Sequence, residues 1–346
     1  MTQKHIRWVD LAKGIAILLV ILGHTSRDEM LIVPFINVGK NLIYAIHLPL
    51  FFFLSGYILK RKGNELEPFK TFLVKKVKSL LIPFISYSLL LYILFQIAIH
   101  LPYIGHILSS FGSLSLVDYW IENLCKGNPY SFHVWFIYIL FIYMMITYFM
   151  NRILKNNNYF LIILGLIINL VTEAATFYYP ALTAEYLIIT TALRYYIFFA
   201  LGCNRFNKLI EKGNILELFP IFILVYIYAK IDLFASIQVY LAIRILIILC
   251  SFSLIIYLCH LASILVDNRI GTILEKVGQR SFSIYLIHQP FFTGFVSLIL
   301  YKLLPAHPFI IIGCTFMISI LCTLTILHMI DHTKYIHAVT KRLLNI

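Results

Sequence analysis

Charged residues are scarce in this sequence. Asp, Glu, Lys and Arg make up 12% of its 346 residues, which is about half the share found in soluble domains. Apolar residues make up 61%, and the mean hydropathy is +0.90. A soluble core cannot bury that much apolar surface, so the composition predicts an integral membrane protein.

Paired cysteines and the short motifs of common soluble enzymes are also missing. None of the six cysteines forms a C-x-x-C pair, and most lie in apolar runs, so neither a disulfide nor a zinc site is predicted. The sequence has no G-x-x-x-x-G-K-[ST] phosphate loop and no G-x-S-x-G nucleophile turn. These absences leave an ATP-driven pump and a serine hydrolase without support.

The net charge of +13 is distributed in short basic clusters between apolar runs. That arrangement is typical of membrane proteins that follow the positive-inside rule, and it argues against a nucleic-acid partner. A helix of about 20 apolar residues spans a bilayer. Such stretches are predicted at 9–24, 42–59, 80–101, 133–150, 159–178, 185–203, 216–234, 237–258, 282–302 and 309–330.

The lysines and arginines also predict the orientation. Both terminal segments and every second loop carry most of them, with a dense run at 60–78. The opposite loops contain only Arg27, Lys40, Lys126 and Lys302. We therefore predict an all-α bundle of about ten transmembrane helices, in one domain over 1–346, with both termini in the cytoplasm.

Ionisable side chains inside the apolar stretches are the first candidates for function, because they are costly to bury in lipid. His24, His47, His133, Glu173 and Glu185 all fall toward the outer ends of predicted spans. Imidazole is the usual general base near neutral pH, so the histidines favour acid–base chemistry there. No two of them have metal-ligand spacing on one helix, so no metal is predicted.

The predicted cytoplasmic side has a different character. Lys75, Lys76 and Lys78 precede the third span, and Arg280 precedes the ninth. Ordinary positive-inside bias explains much of this charge. The density also fits a phosphorylated cytosolic ligand or the anionic head groups of that leaflet, and both alternatives stay open.

Five short segments resemble the membrane-bound acyltransferase-3 family, and their sequences are most similar to its fucose 4-O-acetylase-like branch. They occur in the family's order along essentially the whole chain. The segments are 6–25 (IRWVDLAKGIAILLVILGHT), 47–57 (HLPLFFFLSGY), 75–84 (KKVKSLLIPF), 133–136 (HVWF) and 281–290 (SFSIYLIHQP).

The resemblance implies acyl transfer, usually of acetyl, from cytosolic acetyl-CoA to a hydroxyl of a cell-surface or lipid-linked glycan. It implies a multi-pass protein of a bacterial-type cytoplasmic (inner) membrane, surrounded by lipid. Lys13 and His24 match the family's basic residue, ten residues and histidine. We expect His24 to act as the general base and Asp10 to orient Lys13.

The other expected roles combine these segments with the ionisable residues of the predicted spans and of the predicted cytoplasmic side. Lys75, Lys78 and Arg280 are expected to bind the phosphates of acetyl-CoA. Lysine stands where the family has arginine at positions 13, 75 and 78, and lysine lacks arginine's bidentate fork. The expected acceptor-binding residues are His47, His133, Trp135, Glu173, Arg194 and His288.

Other interpretations stay open on sequence alone. A transporter or flippase of a polar or lipid-linked substrate would also need charges inside the membrane, although paired broken helices in two repeats are not evident. A glycan polymerase would need a large outer loop rich in arginine, and the longest outer loop holds only Lys126. Direct transfer and a covalent acetyl-histidine route are both compatible with the residues.

Overall fold

The computed structural model describes residues 6–102, 105, 115–127, 132–154, 157–230, 236–333, 340 and 343–344. Within those ranges the chain is helical and contains no strand, which confirms the predicted all-α class. The helices are α1 (Arg7–Gly23), α2 (Pro34–Lys62), α3 (Phe69–Ala98), α4 (Leu116–Ile121), α5 (Trp135–Ile153), α6 (Asn158–Tyr178), α7 (Pro180–Glu185), α8 (Leu187–Cys203), α9 (Asn207–Glu211), α10 (Pro220–Ala229), α11 (Ile237–Leu265), α12 (Arg269–Gln279), α13 (Ser281–Ile287), α14 (Phe291–Leu303) and α15 (Pro308–His332).

Six of these helices are long and apolar enough to cross a membrane, namely α2, α3, α5, α6, α11 and α15. Helices α13 and α14 meet the same test together but are bent by 49° at a short break. Helix α8 and the segment Ile215–Ala229 are apolar but shorter. The ten predicted stretches coincide with helical segments where they are described, but the count of ten spans and the side of each terminus stay predictions.

Local signals in the sequence set most helix ends. Proline opens α2, α7, α10 and α15, where its missing N–H is not needed. Asn157, Ser236 and Asn268 cap α6, α11 and α12 through their side-chain oxygens. Gly63 ends α2 in the left-handed conformation, with φ of 63°.

Close crossings between glycines hold the centre of the bundle together. A Cβ placed on Gly278 of α12 would lie 1.6 Å from the carbonyl oxygen of Asp10, and one on Gly14 of α1 would lie 2.1 Å from that of Leu274. Gly202 of α8 meets the backbone of α2 in the same way. These contacts let helix backbones touch, which is how helices in membranes gain packing energy. They also fix the N-terminal half of α1, where Asp10 and Lys13 lie.

Candidate active site

Four histidines from four separate parts of the chain meet inside the bundle. His24 follows α1, His47 lies within α2, His133 precedes α5 and His288 follows α13. The ring centroid of His24 lies 6.4 Å from that of His47 and 5.5 Å from that of His288. The rings of His288 and His133 lie 5.8 Å apart. The structure therefore brings all four predicted histidines into one cluster.

Backbone carbonyls orient three of these rings. In His24, His47 and His288, Nδ1 lies 2.7 Å from the carbonyl oxygen of a residue three or four positions earlier. Because a carbonyl only accepts, Nδ1 carries the hydrogen and Nε2 carries the lone pair. Nε2 of His47 and Nε2 of His288 are buried and have no hydrogen-bond partner among the described residues. These two acceptor atoms thus have no donor within the part of the chain that the structure describes.

A cavity of about 440 Å³ runs along the inner faces of α1, α2, α5, α8 and α13. Lys13 and Val20 of α1, and His24 directly after it, all line the cavity. Val20 and His24 lie seven and eleven positions after Lys13, which places all three on one helical face. His47 and His133 contribute to its wall, as does Trp135. The volume is in the range of small-molecule sites. Lys13 and His24 are separated by about 16 Å of helix, since each residue rises 1.5 Å.

Asp10 and Lys13 form a pair within α1. Their side chains lie 3.3 Å apart, and Asp10 is almost completely buried. Lys13 faces the cavity, whereas Asp10 does not line it. The predicted orienting role of Asp10 therefore has the required geometry.

Three tyrosines of the cavity wall were not predicted from the sequence. The Tyr44 ring lies 4.8 Å from His47 and 6.0 Å from His24. Tyr195 lines the cavity from α8. Tyr285 lies 5.9 Å from His133, and its buried hydroxyl has no acceptor among the residues that the structure describes. Tyr285 lies within the SFSIYLIHQP segment, three residues before His288, which was the available signal.

Glu173 and Arg194 lie outside the cavity wall. The Glu173 carboxylate bridges Arg194 at 3.1 Å and Arg244 at 3.3 Å, and it accepts a hydrogen bond from the Tyr240 hydroxyl at 2.8 Å. These residues tie α6, α8 and α11 together. Arg244 was a candidate from sequence only as an ionisable residue inside a predicted span and was given no role, and Tyr240 was not predicted, because their apolar neighbours give no motif. Glu173 and Arg194 therefore form a second polar site, beside the histidine cluster.

Glu185 also lies apart from the histidines. Its carboxylate accepts a 2.8 Å hydrogen bond from Lys126. This contact raises the pKa of Lys126 above its usual value, because the carboxylate favours the protonated amine. The pair joins the end of α7 to the segment Glu122–Lys126.

The three residues expected to bind the donor phosphates differ in their surroundings. Lys75 donates to both carboxylate oxygens of Glu67, at 2.7 and 2.8 Å. Arg280 lies 2.6 Å from the Asp331 carboxylate. Lys78 is exposed and forms no ion pair within the described part of the chain. Of the three, Lys78 has the charge that is most available to an anion.

Metal-ligand geometry is not found among the described residues, where no group of three or more His, Cys, Asp or Glu side chains is placed to hold an ion. The site instead combines four imidazoles, one lysine–aspartate pair and an aromatic cavity inside a membrane bundle. This combination is typical of an enzyme that uses general acid–base catalysis within the membrane.

The family comparison makes the class more specific. Residues 6–328 match the family model Acyl_transf_3, described as an acyltransferase domain. The chain therefore belongs to the acyltransferase-3 family, and it is a multi-pass membrane acyltransferase. No curated protein and no solved structure matches it. The family match favours the predicted acyltransferase over the transporter and polymerase alternatives.

Proposed function

We propose that the protein transfers an acetyl group from cytosolic acetyl-CoA to a hydroxyl of a cell-surface or lipid-linked glycan. The observation that carries this proposal is the pair of unsatisfied Nε2 atoms in His47 and His288 beside His24. A buried acceptor without a donor is costly. A substrate rich in hydroxyl groups supplies the missing donors, and sugars are such substrates.

His24 acts as the base in this proposal. Its Nδ1–H donates to the carbonyl of Val20, so its Nε2 lone pair is available to the acceptor hydroxyl. As the hydroxyl oxygen forms a bond to the acetyl carbon, its proton passes to Nε2 of His24. The carbon–sulfur bond then breaks, and the proton passes from His24 to the sulfur of CoA. The two steps leave the imidazole neutral again.

The donor approaches the cavity from the other end. CoA carries several negative charges, so its nucleotide stays at the cationic inner surface. Lys78 binds the phosphates together with Lys75 and Arg280, which exchange their carboxylate partners for the ligand. Lys13 lies at the cavity wall between this surface and His24. The pantetheine arm then spans the cavity and brings the thioester to the histidines.

The remaining parts of the proposal concern the setting. We place the enzyme in a bacterial-type cytoplasmic membrane, as one domain of ten spans with cytoplasmic termini. The acceptor arrives from the outer side, where His47, His133, Trp135 and His288 hold it. The resemblance of segments 6–25 and 47–57 supports membership of the fucose 4-O-acetylase-like branch as part of this proposal.

A transfer assay tests the proposal. Purified protein in phosphatidylcholine nanodiscs receives acetyl-CoA labelled in the acetyl group and a panel of membrane glycans. The expected result is label in a glycan and release of free CoA thiol that depends on the glycan. Thiol release without any labelled glycan would contradict the acceptor class, and the absence of both would contradict the donor.

A further inference from the structure

The second polar site consists of Glu173, Arg194, Arg244 and Tyr240, and is called the arginine cluster below. Each of its residues comes from the interior of a helix rather than from a loop. Arg194 and Arg244 each place Nε near the single carboxylate of Glu173, at 3.1 and 3.3 Å. Two guanidinium groups therefore share one carboxylate, and among the residues that the structure describes the cluster has one positive charge in excess.

That excess charge is unusual for a position inside a membrane. Glu173 lies five residues before the end of α6, and Arg194 and Arg244 lie seven residues after the starts of α8 and α11. All three are about 8–11 Å from the helix ends, since each residue rises 1.5 Å. A neutral pair would suffice to tie helices together, whereas an unmatched charge at this depth marks a functional site.

The guanidinium groups keep binding capacity. The Nε atoms of Arg194 and Arg244 lie at ion-pair distance from Glu173 but have no hydrogen-bond partner among the described residues. Nη2 of Arg194 donates to the Thr176 hydroxyl, and Nη2 of Arg244 donates to the Tyr240 hydroxyl. Each guanidinium has five N–H donors, so donors remain on both. The side chains of Arg194 and Arg244 are 24% and 31% exposed, whereas that of Glu173 is 4% exposed. The cations are thus accessible, and the carboxylate is not.

The arginine cluster also lies next to the histidine cavity. Tyr195 follows Arg194 in α8 and lines the cavity. It lies within electrostatic range of Arg194 and Arg244 on one side and of Tyr44 on the other. Tyr44 in turn packs against His24 and His47. Two aromatic side chains, Tyr195 and Tyr44, therefore lie between the arginine cluster and the histidines.

We infer that the arginine cluster binds an anionic oxygen group of the acceptor, a phosphate or a carboxylate, while the acceptor hydroxyl reaches His24. Planar guanidinium forks suit the oxygens of both groups. The inference rests on the proposed function for the identity of the acceptor, although anion binding itself is independent of acetyl transfer. It places the substrate among charged glycans or lipid phosphates rather than among neutral sugars.

The competing role for the cluster is purely structural, and substitution of Glu173 separates the two. In a structural cluster, Glu173→Gln leaves two partly buried cations unpaired and only destabilises the protein. In a binding cluster, Glu173→Gln also removes the anion that competes with the ligand, so ligand affinity rises. Arg244→Gln has the opposite effect on affinity, and Arg244→Lys keeps the charge but loses the fork.

The experiment measures binding without acetyl-CoA. Protein in phosphatidylcholine nanodiscs is titrated with farnesyl phosphate and with farnesol, and separately with methyl glucuronide and with methyl glucoside. Binding is followed by thermal stabilisation. The expected result is that at least one anionic probe binds and its neutral partner does not. The phosphate pair indicates a lipid-linked acceptor, and the glucuronide pair indicates an acidic sugar.

The variants then locate the binding. Arg244→Gln is expected to weaken binding of the anionic probe by about tenfold or more, because it removes charge-assisted hydrogen bonds. Arg244→Lys should retain an intermediate affinity, and Glu173→Gln should bind several-fold more tightly, roughly as expected for loss of a competing nearby charge. Glu185→Gln is the matched control. It makes the same charge change in the exposed pair with Lys126 and should leave affinity unchanged.

Three results would overturn the inference: neither anionic probe binds, the folded Arg244→Lys and Glu173→Gln variants bind like wild type, or Glu185→Gln raises affinity as much as Glu173→Gln. Failure of the proposed function looks different. Anion binding that follows the cluster without any acetyl transfer would leave this site intact and remove the acetyltransferase proposal. Acetyl transfer to a neutral glycan, with the same acceptor KM in wild type and Arg244→Lys, would support the acetyltransferase proposal and contradict the anion-binding role of the arginine cluster.

Discussion

The imidazole rings of His24 and His288 lie 5.5 Å apart, although the two residues come from opposite ends of the chain. Both follow the last residue of a helix, Gly23 of α1 and Ile287 of α13. The break after α13 is essential to this arrangement, because it ends the helix where His288 meets His24. Two imidazoles from independent helix ends thus form the centre of the site.

His24 is the residue for which catalytic and structural roles predict different outcomes. His24→Ala is expected to lower the transfer rate by about 10²–10⁴, the usual contribution of a general base. His24→Asn keeps a similar size and a polar group but cannot take up the proton, so it should be nearly as inactive. The measurement is acetyl transferred per folded molecule, together with acetyl-CoA binding, which both variants should retain.

An active Asn variant would show that His24 only packs or donates a hydrogen bond. His307→Ala is a suitable control, because this histidine precedes α15 and is exposed. It should transfer acetyl at the wild-type rate.

Tyr285 gives a second test of the chemistry. We expect its hydroxyl, which has no acceptor among the described residues, to donate to the oxygen that becomes negative in the transition state. Tyr285→Phe should lower kcat by about 10², as loss of one such donor does, with little change in KM. Tyr143→Phe is the matched control, because that buried tyrosine donates to the Ala192 carbonyl away from the histidines. Equal kcat values for the two variants would rule out the proposed donor.

The helical class and the four histidines of the cluster were predictable from the sequence for a physical reason. A membrane makes hydropathy a direct signal of helices, and it makes each ionisable residue inside them a candidate. His24, His47 and His133 were identified this way, and His288 through its segment. The grouping of these residues was not predictable from spacing, because it depends on how helices from distant parts of the chain cross.

The three cavity tyrosines and the pairing of Arg244 with Glu173 show the limit of such reasoning. Tyr44, Tyr195 and Tyr285 are three of 23 tyrosines, and nothing in their spacing separates them from those that only pack. Arg244 lies in an apolar helix without a motif, and its partner Glu173 is 71 positions away in sequence. Long-range pairs of this kind require the packing of α6 against α8 and α11. The partner of Lys75, Glu67, was missed because an exposed turn brings it back to the helix.

The inner lysines are expected to contribute unequally to donor binding. Lys78→Ala should raise the Kd for acetyl-CoA more than Lys75→Ala, because Lys75 must first leave Glu67. Binding should also weaken as ionic strength rises, since exposed charges are screened. The control is Lys40→Ala, at the predicted outer side, where the lysine pairs with Asp28. If the double variant Lys75→Ala/Lys78→Ala binds acetyl-CoA with wild-type affinity, the two lysines do not bind the donor and only contribute to the positive-inside bias.

Cysteine labelling tests the ten-span topology, which the six helices of spanning length do not decide. Positions 64 and 157 and the C-terminus should react only with a reagent that enters the cytoplasm. Position 126, on the predicted outer side, should react with an impermeant reagent. Labelling of the C-terminus from outside would contradict the prediction, because it requires either an odd number of spans or the opposite assignment of sides.

Gly278 tests whether the crossing of α12 with α1 positions Asp10 and Lys13, the pair that we expect to take part in catalysis. A Cβ at this position would lie 1.6 Å from the carbonyl oxygen of Asp10 and 2.7 Å from the backbone nitrogen of Gly14. Backbone atoms cannot rotate away, so α12 must separate from α1. Gly278→Ala is therefore expected to destabilise the protein by about 1–3 kcal/mol, the usual effect of overpacking.

The same substitution should displace Asp10 and Lys13, because they lie on the segment of α1 that α12 touches. We expect the KM for acetyl-CoA to rise in the folded fraction of Gly278→Ala, while glycan binding at the outer side is retained. Gly313→Ala is the matched control: a Cβ there meets nothing within 4 Å, so the change should be neutral or slightly stabilising. Thermal melts in detergent and donor titrations measure both effects. If Gly278→Ala has the same melting temperature as Gly313→Ala and the wild-type KM for acetyl-CoA, the helix crossing does not hold Asp10 and Lys13 in place.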